Sequence, residues 1–459
     1  MLGEKEYSLK PDQFRIAPLF DRPNLIRLLV PLIIEQFLMM TVGMADTIMV
    51  ATAGEAAVSG VSLVDSINLL LIQIFAALST GGTVIVSQYL GRQDTENADH
   101  AAKQLLHSAT LIALVLMTLA LFFRQQILSF IYVSLEPDVM GHALDYFFYT
   151  AIAYPFMAVY NAGAALFRAM GNSKVSMYVS LVVNAVNISV NAILIYGFDM
   201  AAAGAGIGTL VSRITAAVIM LILMRRPVNL VKVRGLLRFE WRPQMLNNIL
   251  RVGVPNGMEN GMFQIGKLLV AGLVASFGTA AVSANAIANS IGSVIQVPGT
   301  AMGLGLITVV GRCMGARQDD QAVYYSRRLL LIAYLSVGSL SLLMLLLAGP
   351  LVGLFNLSTA ATEMAVEILR WFAVFNLAIY PIAFVLPNAL RGAGDSKFTM
   401  IVSMVSMWAF RIGFSYLFVR LFELGLLGIW MAMFVDWIVR AAIFVFRFQR
   451  GHWKSIRLI

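Results

Sequence analysis

Asp46 sits in the apolar stretch MADTIMV with no basic residue near it in sequence, and Glu35 lies eleven residues earlier. A carboxylate inside a membrane-length apolar run is costly unless it is paired, protonated or holding a cation, so it points first to ion or substrate handling. At 3.6 residues per turn the two acids share nearly one helix face, about 16 Å apart along the axis. Further on, Asn184, Asn187 and Asn191 recur at i, i+3 and i+7, a polar stripe on an otherwise apolar helix. Amide oxygens beside a carboxylate suit a desolvated Na⁺. They would equally hydrogen-bond a protonated Asp46, so residue types leave Na⁺ and H⁺ both open. The bland alternative for the asparagines is hydrogen bonding between helices.

A second polar face carries Asn256, Asn260, Gln264 and Lys267, with Glu259 beside it. Methionines such as Met44 and Met262 on the same two segments offer soft surface for varied ligands, or simply pack. Tyr149, Tyr154, Tyr160 and Phe167 could stack on a cationic organic substrate or serve as packing. Arg411, Asp436 and Arg440 also fall in apolar runs; Arg411 with Asp436 reads as an ion pair locking the last two spans together. Pro31 interrupts the backbone ladder of the first span, and a bend there would couple Asp46 to helix shape.

The elements that carry these residues are membrane helices. The chain is 59% hydrophobic and only 12% charged, with a mean hydropathy of +0.81. Twelve apolar runs reach the ~20 residues needed to cross a bilayer. The sequence also contains itself twice: at an offset of 224, Pro31 falls on Pro255, Glu35 on Glu259, Gly54 on Gly278 and Gly91 on Gly315. GEAAVSGVSLVDSI and GTAAVSANAIANSI agree at seven of fourteen positions, and RAMGNSK at 168–174 answers RGAGDSK at 391–397. Six spans per half give both halves one orientation, hence an all-α polytopic protein of two six-helix lobes related by a pseudo-twofold axis along the membrane normal. The divisions are an N-terminal segment 1–27, a first lobe 28–224, a basic linker 225–248, a second lobe 249–447 and a tail 448–459. Position 46 maps to Val270, so the halves have diverged in their acids.

Of the 33 Lys and Arg, 26 fall in segments on the side of the N-terminus, 2 opposite (Arg124 and Arg420) and 5 within spans. The positive-inside rule then puts both termini in the cytoplasm of a bacterial inner membrane. The bias and attraction to anionic lipid account for the net charge of +9, without nucleic acid. The lone Cys313 cannot make an internal disulfide, and four scattered histidines lack metal-ligand spacing. No Walker motif is present, so an ion gradient and not bound nucleotide would supply energy. No cofactor is expected beyond a coupling Na⁺ or H⁺.

The proline-led first span ending in ADTIMV, then GEAAVSGVSL, the QYLGRQD turn, RAMGNSK, the Asn-rich fifth span with AGAGIGT, and GIWMAMFVDWIVRA resemble the multidrug and toxic compound extrusion family from about residue 25 to 450. The resemblance implies twelve helices in two lobes and export of small organic, often cationic or amphipathic compounds by Na⁺ or H⁺ antiport, by a monomer embedded in membrane lipid. It aligns Asp46 with the family's functional aspartate, Asn187 and Asn191 with positions lining the first-lobe pocket, and Thr209 with a polar residue of the sixth span. One bacterial branch has aspartate where this chain has Asn191, and another has an acid in the tenth span where AIYPIAFVLPNAL has none; the set leans to Na⁺. A lipid-linked oligosaccharide flippase of the same superfamily is the rival reading. It would show a strongly cationic cavity, whereas Lys267 stands nearly alone in the sequence. A membrane enzyme would need a catalytic pair within reach across helices, for which His107 is the one candidate histidine.

Overall fold

The computed structural model describes residues 18–132, 135–233 and 240–459. Six helices form the first repeat: α1 (Arg22–Ala51), α2 (Glu55–Gly91), α3 (Thr95–Ile131), α4 (Pro137–Ala169), α5 (Ser173–Gly197) and α6 (Ala201–Met224). The second repeat follows with α7 (Pro243–Ala275), α8 (Thr279–Gly315), α9 (Asp319–Gly353), α10 (Thr359–Ala378 and Pro381–Ala393), α11 (Ser396–Phe422) and α12 (Gly425–Arg450). Ten of these are long and apolar enough to cross a bilayer, and α10, bent by 62° at its break, makes an eleventh. The remaining helix, α7, has 33 residues, roughly 50 Å of helix. The polar face holding Asn256, Glu259, Asn260, Gln264 and Lys267 lowers its hydropathy, yet it occupies the place of α1 in the second repeat and completes the twelve.

The duplication is written into the backbone. α2 and α8 both run 37 residues and begin 224 positions apart. Gly54 (φ 108°) and Gly278 (φ 88°) open them in a conformation that a side chain would oppose. Gln93 and Arg317, and Asp199 and Glu423, repeat left-handed turns at the same offset. Asp21 caps α1 by accepting from the Asn24 amide, and Asp94 caps α3 through Asn97. Pro31 lies within α1 without ending it; the helix continues to Ala51.

Two apolar cores form, one per repeat, but α1 and α7 straddle them. Leu25, Leu28, Leu29 and Leu32 of α1 pack in the second core, whereas Met49 and Val50 at its other end pack in the first. Met245, Ile249 and Val252 of α7 belong to the first core and Val274 to the second. The lobes therefore grip each other at the end that holds the start of α1. There Gln88 donates to the Gly392 carbonyl at 3.2 Å, and Arg312 donates to the Ala169 carbonyl at 2.8 and 3.0 Å. Toward the opposite end Met44, Ile48, Leu268 and Leu269 are exposed.

The tail after α12 returns to the sealed end, where Leu458 is buried in the first core and covers Gly394. Of the basic linker, Arg242 meets His100 at 2.9 Å and the Lys232 amide donates to Asp99 at 2.6 Å, tying it to α3. The first 17 residues of the N-terminal segment, and linker residues 234–239 with Arg234 and Arg238, lie outside the described residues.

Candidate functional site

Asp46 lies near the end of α1 away from the sealed end and is half-buried. The Asn191 amide donates to its Oδ1 at 2.6 Å, and Asn191 in turn lies 3.5 Å from the Asn187 oxygen one turn earlier. Asn184, a further turn back, donates to the Leu38 carbonyl at 2.7 Å and fastens α5 to α1. The asparagine stripe thus does both things open to it: one member is structural glue and two meet the carboxylate. The Asn191 Oδ1 is buried and has no hydrogen-bond donor. A side chain at Gly208 would overlap that oxygen, so the glycine is what lets α6 close on α5.

The structure adds groups that sequence reasoning missed. Asp65 of α2 acts electrostatically on Asp46, as does Arg213 of α6, which forms no salt bridge with it. The Tyr146 hydroxyl donates to Asp65 at 2.9 Å and also lies beside Thr209. Asn68 donates to Asp65 at 3.5 Å and accepts from the Tyr154 hydroxyl at 2.8 Å. Asp65 is thus a second first-lobe carboxylate acting on Asp46, with Arg213 the one arginine opposing it. Its signal was present, because Asp65 stands inside the duplicated block where the second copy has Asn289. Of the two roles open to Tyr154, Tyr160 and Phe167, packing is the one their surroundings give, since all three are buried and Tyr154 packs on Phe75. Oxygen atoms of this kind, with a net negative charge, match what a hard cation requires.

Glu35 does not join Asp46. It is buried, accepts from Ser176 at 2.6 Å and faces Arg168 at 3.6 Å. Its repeat partner Glu259 faces Arg391 at 2.6 Å. Arg168 and Arg391 open the RAMGNSK and RGAGDSK motifs, so the duplicated acids and duplicated motifs are two halves of one repeated ion pair.

In the second lobe, Lys267, Asn285, Asn289, Arg411 and Trp430 line a cavity of about 260 Å³. Glu259, Asn260, Met262, Arg391 and Arg440 line a second, of about 160 Å³. Asn256 is buried and Gln264 half-buried on the same helix, and Met44 is exposed on α1. Two expectations fail here. Asp436 pairs with Arg440 at 2.7 Å, one turn along its own helix, and not with Arg411; α11 is tied to α12 instead by Ser406, which donates to Asp436, and by Arg440, which donates to the Ser403 carbonyl. Lys267 is not alone either, because Arg411 shares its cavity.

A family model described as MatE matches residues 31–193 and again 255–417, once per repeat. The uncharacterized transporter YisQ of Bacillus subtilis is 28% identical over 441 residues, covering 94% of each chain. A probable multidrug resistance protein NorM of Thermotoga maritima is 28% identical over 447 residues, 95% of this chain and 93% of that one. Among solved structures, the outward-facing conformation of a multidrug resistance MATE family transporter of the MOP superfamily superposes with a TM-score of 0.87 at 21% identity, covering 95% of this chain and 96% of the other. That likeness shows a shared fold.

Proposed function

The chain belongs to the MatE family of membrane transporters, and from that membership we propose that it is a secondary active exporter of small organic, often cationic or amphipathic compounds, coupled to entry of Na⁺ or H⁺. The observation that carries the reading is the Asp46–Asn191 contact with its unpartnered buried oxygen. A buried acceptor without a donor is expensive, and a cation held between Asp46, Asn187, Asn191 and Thr209 would satisfy it. The multidrug resistance proteins among its relatives support the substrate class.

With the N-terminus cytoplasmic, the sealed end faces inward and Asp46 lies toward the outer side. A cation arriving from outside reaches Asp46 there. Its binding neutralises the carboxylate, reshapes the α1–α5 contact and favours release of cargo; cargo rebinding from the cytoplasm favours loss of the cation. Rocking of the two lobes about α1, α2, α7 and α8 exchanges access in a single chain, in a bacterial plasma membrane. Dye efflux from proteoliposomes under an imposed Na⁺ gradient or an imposed H⁺ gradient tests this. Efflux with one gradient names the ion, and efflux with neither rejects coupled export.

A further inference from the structure

The second lobe carries the opposite charge to the first. At the offset of 224, Asp46 and Asp65 fall on Val270 and Asn289. Neither acid has an acidic counterpart in the second repeat, and Arg411 stands within α11, the repeat of the asparagine-bearing α5. In the structure Lys267, Arg411 and Arg440 converge on one ring, each within 6 Å of the Phe263 centroid (5.2, 5.4 and 5.8 Å). One carboxylate, Asp436, stands against the three, and it is held by Arg440 and Ser406. The neighbouring Glu259 is closed on Arg391. Arg411 is buried, lies outside salt-bridge distance of every carboxylate among the described residues, and its Nε has no hydrogen-bond partner.

A ring face attracts cations but does not neutralise them. Two uncompensated positive charges inside a membrane protein therefore call for an anion. The cavity they share has room for a small organic molecule, and its remaining walls, Val270, Ile429, Met433 and Trp430, are apolar or aromatic. The Asn285 oxygen already accepts from Trp430 and Asn289, at 3.1 and 3.2 Å, and Lys267 and Arg411 are the charged donors on the cavity wall.

We propose that this α7–α8–α11–α12 cavity is an anion-binding site, in which Lys267 and Arg411 clamp the carboxylate or phosphate of a compound whose apolar or aromatic body lies against Trp430 and Met433. The site is in the other lobe from Asp46 and does not depend on the coupling role assigned there.

The test is equilibrium binding of radiolabelled benzoate to the full chain in nanodiscs of phosphatidylcholine. Wild type binds saturably. Lys267→Gln and Arg411→Gln each weaken binding by about tenfold or more, the size of a lost charge-assisted hydrogen bond, and Asp46→Asn leaves it unchanged. Lys267 is on the cavity surface, so its replacement keeps the buried packing intact. Repeating the measurement with phosphatidylglycerol in the disc separates the sources: competition that depends on Lys267 identifies a lipid phosphate as an occupant of the same clamp, and undiminished binding identifies a dissolved organic acid. Absence of saturable benzoate binding, or binding that survives both substitutions, overturns the proposal.

Discussion

Asn191 gives its amide hydrogen to Asp46 across 2.6 Å and leaves its own oxygen buried and unsatisfied. The side chain is thus posed as a carboxylate's donor on one side and an open ligand on the other. Replacing it by leucine removes both functions while keeping an apolar helix surface. Asn191→Leu should lose Na⁺-stimulated efflux and retain a normal thermal unfolding profile. Asn191→Asp puts a second acid beside Asp46, so the pair will hold a proton more readily. Efflux by that variant should shift toward dependence on a pH gradient, measured in vesicles with Na⁺ absent.

If the proposed coupling cation is Na⁺, proton and Na⁺ compete for one carboxylate, Asp46. The sign follows directly: acidification protonates Asp46 and removes the charge that holds Na⁺. Na⁺ affinity, read by calorimetry in detergent, should therefore weaken as pH falls. An affinity that is flat between pH 8 and pH 6, or that improves with acid, would exclude Asp46 as the Na⁺ ligand.

Asp65 is held by Tyr146 and Asn68 rather than left open, and so it sets the field at Asp46 instead of binding the ion itself. Asp65→Asn keeps the hydrogen bonds and removes the charge. Na⁺ affinity should fall by about tenfold, the effect of a ~1.4 kcal/mol change, with transport still detectable at high Na⁺. Loss as complete as in an Asp46 variant would make Asp65 a direct ligand.

Gln88 and Arg312 seal the end that holds the start of α1 in matching fashion, each donating to the carbonyl of the second residue of the opposite lobe's RGAGDSK or RAMGNSK motif. Cys313 beside Arg312 is buried there and is the chain's single cysteine. Arg312→Ala should open this end and raise the rate of maleimide labelling at Cys313 severalfold. An unchanged rate would mean that the glycine contacts at Gly91 and Gly315 suffice to hold the lobes together.

The Glu35–Arg168 and Glu259–Arg391 pairs are enclosed by protein, and breaking a buried pair typically costs about 3–5 kcal/mol because one charge is left behind. Glu35→Gln should lower the midpoint of thermal unfolding, measured by intrinsic fluorescence in detergent. The double variant Glu35→Gln with Arg168→Met should recover much of the loss; no recovery would place Glu35 in the transport chemistry.

The frame of the molecule was readable because hydropathy survives in one dimension, as does a repeat at an offset of 224 that slips to 223 at RAMGNSK and RGAGDSK. So were Asp46, Asn187 and Asn191, since a lone acid and a helical amide stripe betray themselves by cost and period. Asp65 escaped because the residues that explain it, Tyr146 and Tyr154, are some eighty positions away. Arg411 was mispaired because sequence offers two bases for Asp436, and the one a single turn along the same helix wins by geometry. The same error hid the charge of the second cavity: with Arg411 counted as neutralised, Lys267 looked solitary. Glu35 with Arg168 was the nearest miss, as acid and base were each seen to be duplicated, but pairing them needs the packing that brings α1 beside the end of α4.

The central claim is that cation entry and cargo exit are one exchange at Asp46. The most direct measurement follows both in the same proteoliposomes, radioactive Na⁺ uptake or internal pH on one channel and dye release on the other, for wild type and Asp46→Asn. Cation entry that rises with added dye in wild type, with both fluxes lost together in the variant, is the expected result. Dye release that continues undiminished in Asp46→Asn, or cation entry indifferent to dye, would contradict the account.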